Sequence, residues 1–209
     1  MAFRIAVLAS GTGTNLQAIL DKVHGRDGIE VAGVASNKPG AMAVERARGA
    51  GVETEIFERD DYPDRTARDQ AIGDWLAERE VELIVLAGYM ELLSPELVGR
   101  FRNRIVNVHP ALLPSFPGLD AIEQALDHGV KVTGVTVHFV DEGVDSGPII
   151  LQRAVPVPDD RDREALEDEI HRVEHELLPQ AIRLIAAGKV SFDAANPRVV
   201  KSDSAGAVG

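Results

Sequence analysis

The chain of 209 residues contains no cysteine. That absence excludes disulfide scaffolds, thiolate nucleophiles and cysteine-ligated metals, and it suits a reducing, cytoplasmic compartment. Nothing in the sequence approaches the roughly 20 uninterrupted apolar residues needed to span a bilayer. Residues Met1-Ala2-Phe3-Arg4 run directly into an apolar segment without a small-residue cleavage site, so no signal peptide is expected. Basic charge is in short supply: 22 Lys and Arg face 34 Asp and Glu, a formal net charge of −12. This balance disfavours generic nucleic-acid binding, which needs clustered cations. A small anionic substrate stays open if backbone amides and a few local cations receive it. With 44% hydrophobic and 27% charged residues, the composition is that of a soluble globular chain, long enough for one ordinary domain.

What is present reads as alternating strands and helices. The apolar run 3–9 is a buried strand that enters the turn Ser10-Gly11-Thr12-Gly13, and Leu16, Ile19 and Leu20 then share one helical face. Strands are expected at 31–35, 53–57, 81–87 and 105–108, and helices at 41–50, 64–79 and 94–101. Ser94 suits a cap there and Pro95 the first helical position. This order predicts a doubly wound, mostly parallel, Rossmann-like α/β sheet. Segments 132–140 and 148–157, joined by a glycine-bearing loop, predict an antiparallel pair. A long C-terminal helix is expected over 162–187, kinked or interrupted at Pro179. Residues 1–195 are expected to form a single domain and 196–209 a flexible tail.

Three segments carry candidate chemistry. Ser10-Gly11-Thr12-Gly13-Thr14-Asn15 follows a strand and opens a helix, so its amides and the helix dipole suit a phosphate. It lacks the third glycine of a dinucleotide fingerprint, because position 16 is Leu. A plain strand-to-helix turn remains the alternative. Asn107 and His109 alternate onto one side of a strand end, where ligands of open α/β sheets collect. An amide donor and an imidazole suit the oxygen that turns negative when a carbonyl is attacked; a hydrogen-bonded strand end explains the same residues without chemistry. Asp145, in Gly143-Val144-Asp145-Ser146-Gly147, suits a carboxylate that supports a histidine and orders a water, though Asp in such turns also serves local hydrogen bonding.

Other patterns carry less. Segment 159–176 holds nine acidic residues against three arginines and reads as a solvated helix face. His171-Arg172-Val173-Glu174-His175 matches a zinc-peptidase spacing but lacks a third ligand, so no metal is expected. Glu174 itself falls at the border of the apolar stripe, from which a carboxylate reaches into a cleft. No Gly-x-Ser-x-Gly elbow of a serine hydrolase occurs.

Taken in order, Ser10 to Ile19, Leu86-Ala87-Gly88-Tyr89-Met90, Asn107-Val108-His109-Pro110 through Pro117-Gly118, and Asp145-Ser146-Gly147-Pro148-Ile149-Ile150 resemble the folate-dependent formyltransferases, over roughly residues 3–190. The resemblance implies formyl transfer from 10-formyltetrahydrofolate, as co-substrate, to the amine of glycinamide ribonucleotide in purine biosynthesis. It implies small-molecule partners only, with neither nucleic acid nor membrane; a homodimer is compatible with the sequence. By the same resemblance Asn107, His109 and Asp145 form the catalytic trio. Gly13, Thr14 and Asn15 hold the phosphate and ribose end of the acceptor, and Glu174 anchors its ribose or glycinamide portion. Arg65, Met90, Glu91, Leu92 and Leu93 line the folate pocket with Asn107 and the loop Asp141, Glu142, Gly143, Val144. Asp120 stands where many relatives have a histidine, and Ala111 where serine is frequent. The added C-terminal domain of methionyl-tRNA formyltransferase and the added N-terminal domain of formyltetrahydrofolate hydrolase are not expected. Three other readings remain open: a nucleotide-binding regulatory protein that uses the 10–15 loop without chemistry, a nicotinamide-dependent oxidoreductase, and a formyl hydrolase that releases formate without an amine acceptor.

Overall fold

The computed structural model describes residues 1–202. The chain forms two compact units, Met1–Asn107 and the part from Val108 onward. The first unit holds β1 (Phe3–Leu8), α1 (Thr14–Lys22), β2 (Ile29–Ser36), α2 (Met42–Gly49), β3 (Thr54–Ile56), α3 (Arg65–Glu78), β4 (Leu83–Leu86), α4 (Pro95–Arg100) and most of β5 (Ile105–His109). Its strands are all parallel, in the order β3-β2-β1-β4-β5. Register is set by pairs such as Val7 with Val85 and Leu86 with Asn107. Strands of a parallel sheet are covered on both faces and so read as continuous apolar runs. β1 and β4 obey this: Ile5, Val7, Leu8, Leu83, Ile84 and Val85 are all buried. Helix starts follow from caps. Asp64 accepts from Ala67 N at 2.8 Å, and Ser94 accepts from Leu97 N at 3.3 Å with Pro95 at the first helical position.

The second unit holds α5 (Ala121–His128), β6 (Val132–Phe139), β7 (Ile149–Pro156), α6 (Arg163–Ala186), β8 (Val190–Phe192) and β9 (Val200–Ser202). β6 and β7 pair antiparallel, with a register shift between Val137 and His138. α6 packs on both strands through buried Leu166, Ile170, Val173 and Leu177. The chain thus has the expected doubly wound, mostly parallel architecture, with an antiparallel C-terminal strand pair and a long C-terminal helix. No helix among the described residues is long and apolar enough to cross a membrane.

Two local features stand beside the expectations. α6 runs through Pro179 without interruption. A proline inside a helix costs about 3 kcal/mol, but Leu177, Leu178, Pro179, Ala181 and Ile182 are all buried, and that packing holds the helix together. The segment expected to be a flexible tail contains β9, which pairs antiparallel with β8 through Phe192 and Val200. The remainder of that segment, 203–209, lies outside the described residues.

Candidate active site

In the first unit, the C-terminal ends of β1 and β4 carry the turn 10–15 and the loop 87–94. Gly13 caps α1 in the left-handed region, with φ of 71°. A Cβ there would stand 2.7 Å from Ala43 Cα, so both backbone sign and space demand glycine. α2 braces the turn from behind. Ala43 N donates to Gly11 O at 3.2 Å, and Arg46 donates through Nε to Thr12 O at 2.8 Å and through Nη1 to Gln17 Oε1 at 3.1 Å. The result is a helix N-terminus with a guanidinium behind it, which suits an anion. Thr14 begins α1, and Asn15 in its first turn is buried.

Ser10, also buried, ties this turn to the loop after β4. Its N–H donates to Gly88 O at 3.1 Å, and its Oγ accepts from Met90 N at 2.8 Å. Within that loop Met90 and Leu92 are exposed, while Glu91 and Leu93 are partly buried. Apolar side chains beside backbone amides suit a flat, mostly apolar ligand with a few polar edges. Arg65, at the start of α3, is exposed. Arg46 carries no motif signal in the sequence, and Ser10, though it opens the motif 10–15, gives no sign there of its bonds to the loop after β4. Their roles depend on bonds to the loop after β4 and to the turn before α1.

Asn107 and His109 lie on β5, two positions apart, so the strand pleat sends both side chains to one side. In the second unit, His109 is 4% exposed and both ring nitrogens face oxygen. Nδ1 is 3.3 Å from Asp145 Oδ2, and Nε2 is 2.8 Å from Phe116 O. Asp145 is braced further by Gly118 N, which donates to Oδ2 at 2.7 Å, and by His138 Nε2 at 3.6 Å from Oδ1. His138 Nδ1 lies 2.8 Å from Phe139 O. Burial alone would raise the Asp145 carboxyl. The hydrogen bond of His138, the Gly118 N–H and the pull of both histidines outweigh it, and the carboxyl is held below its ordinary value.

The loop that presents Asp145 is tight. Asp141 Oδ1 accepts from Gly143 N at 3.1 Å and from Ser146 Oγ at 2.7 Å. A Cβ on Gly147 would meet Phe139 O at 1.8 Å, so this closure accepts only glycine. Glu142, Gly143 and Val144 are exposed. Asp120 opens α5 at φ 57° without a side-chain cap bond. On α6, Glu174 is 5% exposed, the one buried acid of the segment 159–176. Its neighbours Glu169 and Glu176 pair outside with Arg172. His171 and His175 stack with ring centroids 6.3 Å apart. Among the described residues, no three His, Cys, Asp or Glu side chains gather to hold a metal ion.

Comparison with known proteins gives a consistent picture. A family model described as formyl transferase matches residues 3–182. Phosphoribosylglycinamide formyltransferase of Bacillus subtilis is 42% identical over 181 residues, which are 86% of this chain and 93% of that protein. The trifunctional purine biosynthetic protein adenosine-3 of Drosophila melanogaster is 45% identical over 188 residues, 88% of this chain; the chain spans only 14% of that relative's length. The crystal structure of glycinamide ribonucleotide transformylase 1 from Symbiobacterium toebii superposes with a TM-score of 0.91 at 50% identity, covering 96% of this chain and 94% of that one.

Proposed function

The chain belongs to the formyl transferase family, and on that premise we propose that it moves the formyl group of 10-formyltetrahydrofolate onto the primary amine of N1-(5-phosphoribosyl)glycinamide, a step of purine biosynthesis. The observation that carries this reading is the Asp145 carboxylate, held ionised against a buried His109 by a second histidine and a backbone N–H. A family of carbonyl-transfer enzymes needs such a group to manage protons.

The acceptor amine attacks the formyl carbon, and a C–N bond forms as the carbonyl oxygen becomes an oxyanion. The Asn107 amide and the His109 Nε2–H stabilise that oxygen, which takes the place of Phe116 O as acceptor of the His109 N–H. Asp145 orients His109 through Nδ1 and positions a water that carries the proton from the acceptor nitrogen to N10 of the folate. The bond from formyl carbon to N10 then breaks, leaving formylated acceptor and tetrahydrofolate. Gly13, Thr14 and Asn15 seat the acceptor's phosphate and ribose end, with Glu174 on its ribose or glycinamide portion. Arg65, Met90 to Leu93, Asn107 and the loop Asp141 to Val144 receive the folate. No metal takes part in these steps. Residues 1–195 act as one formyltransferase domain, in the cytoplasm.

Incubation with 10-formyltetrahydrofolate, with and without glycinamide ribonucleotide, tests this. Deformylation that depends on the acceptor is expected. Formate release without acceptor would make the protein a hydrolase, and no deformylation in either arm would overturn the reading.

A further inference from the structure

Between α3 and the loop after β4 lies a cluster of charge of which the formyl-transfer reading uses only Glu91. Arg68 is 1% exposed and Asp69 is fully buried. The Arg68 guanidinium donates to Asp69 Oδ1 through Nε at 3.1 Å and Nη2 at 3.0 Å, and its Nη1 lies 3.2 Å from Glu91 Oε2. Glu91 Oε1 in turn accepts from Asn37 Nδ2 at 3.2 Å, at the end of β2. The second Asp69 oxygen accepts from Ser94 N. Beside them the Tyr89 hydroxyl is buried without a hydrogen-bond partner, and burial pushes it up to about 12.

Burying a guanidinium with two carboxylates is poor stability engineering. Well-packed apolar residues in the same space are often as good or better, and what a satisfied polar cluster adds is one defined geometry. The geometry defined here is that of a loop. Glu91 and Ser94 are held by this cluster and Met90 N by Ser10 Oγ. The loop is therefore pinned at three points, while Met90 and Leu92 are left 65% and 61% exposed. The Glu91 carboxylate is committed to Arg68 and Asn37. The side chains the loop leaves most open are those of Met90 and Leu92.

We propose that Asn37, Arg68 and Asp69 are positioning residues for the formyl donor: acting through Glu91 and Ser94, they lock the backbone 88–94 in the one conformation that accepts the donor's ring system. This rests on the formyl-transfer reading for the identity of the ligand, and on the buried cluster alone for the locking.

Two variants test it. Asn37→Ala removes one bond to Glu91 and also the buried, unpartnered Asn37 Oδ1. Asp69→Asn removes a charge yet keeps an oxygen for Ser94 N. For both, the KM for 10-formyltetrahydrofolate is expected to rise by about fivefold or more, with kcat and the KM for glycinamide ribonucleotide within about twofold, the signature of lost donor binding. Amide hydrogen exchange in 88–94 should speed up, while the β1 amides stay protected. Unchanged donor KM with unchanged exchange overturns the proposal. So does a uniform loss of kcat, both KM values and Tm, which marks a merely structural cluster. If the wild-type protein transfers no formyl group, the functional reading fails, and the exchange comparison still decides whether the cluster locks the loop.

Discussion

Asp145 Oδ2 stands 3.3 Å from His109 Nδ1, within a carboxylate whose other oxygen faces His138 and which also accepts the Gly118 N–H. His109 is thereby oriented by a carboxyl held below its ordinary value, while its far nitrogen lies 2.8 Å from Phe116 O. In the proposed scheme, an orienting carboxylate, a ring and a transferable hydrogen bond form the chain through which a proton is managed at the reacting carbonyl.

Asp145→Asn should lower kcat by about a hundredfold or more, the typical size of a general acid–base contribution. The wild-type carboxyl titrates below its ordinary value of 3.8. A lowered native value means that the stabilisation from the ionised group is complete above the unfolded value and fades as pH falls through the native one. The Tm difference between wild type and Asp145→Asn should therefore be flat above about pH 5 and close only in acid. Thermal melts across pH check this; a gap that closes near neutrality contradicts it.

Asn107→Ala removes one proposed oxyanion donor. Loss of such a donor costs about 3 kcal/mol in barrier, so turnover should fall at least about a hundredfold with little change in Tm. Steady-state kinetics beside a melt reads both. Wild-type turnover in the variant removes Asn107 from the scheme.

His138→Asn withdraws a partner of Asp145 without touching the reacting atoms. Turnover should fall less than in Asp145→Asn, and the double variant should be no worse than Asp145→Asn alone, since coupled groups are not additive. A multiplicative loss in the double variant would show that His138 acts independently.

Gly13→Ala places a Cβ against Ala43 at a positive φ. Strain of this kind costs about 1–3 kcal/mol. The KM for the phosphorylated acceptor should rise more than the KM for the folate. Equal changes in the two would remove the turn from acceptor binding.

Much of this was legible from residue order, and the exceptions have physical causes. The apolar runs of β1 and β4 announce a parallel sheet, and Ser94-Pro95 announces a helix start, because these signals are local. His138 stayed hidden because it sits in a run of buried β6 residues, where period-two counting reads core. The register shift after Val137 breaks that count at this residue. Arg68 looks like a helix-surface cation until Glu91 and Asp69 are seen around it. β9 is too short and polar to signal a strand alone; it exists by pairing with β8. Glu174 was legible as a stripe-border carboxylate, and its burial separates it from the exposed acids beside it.

The most direct test follows the formyl carbon itself. With isotopically labelled 10-formyltetrahydrofolate and glycinamide ribonucleotide, the account predicts label on the acceptor's amine in the wild-type protein and almost none in Asn107→Ala or Asp145→Asn. Label appearing as free formate, or reaching the acceptor equally fast in all three proteins, would contradict it.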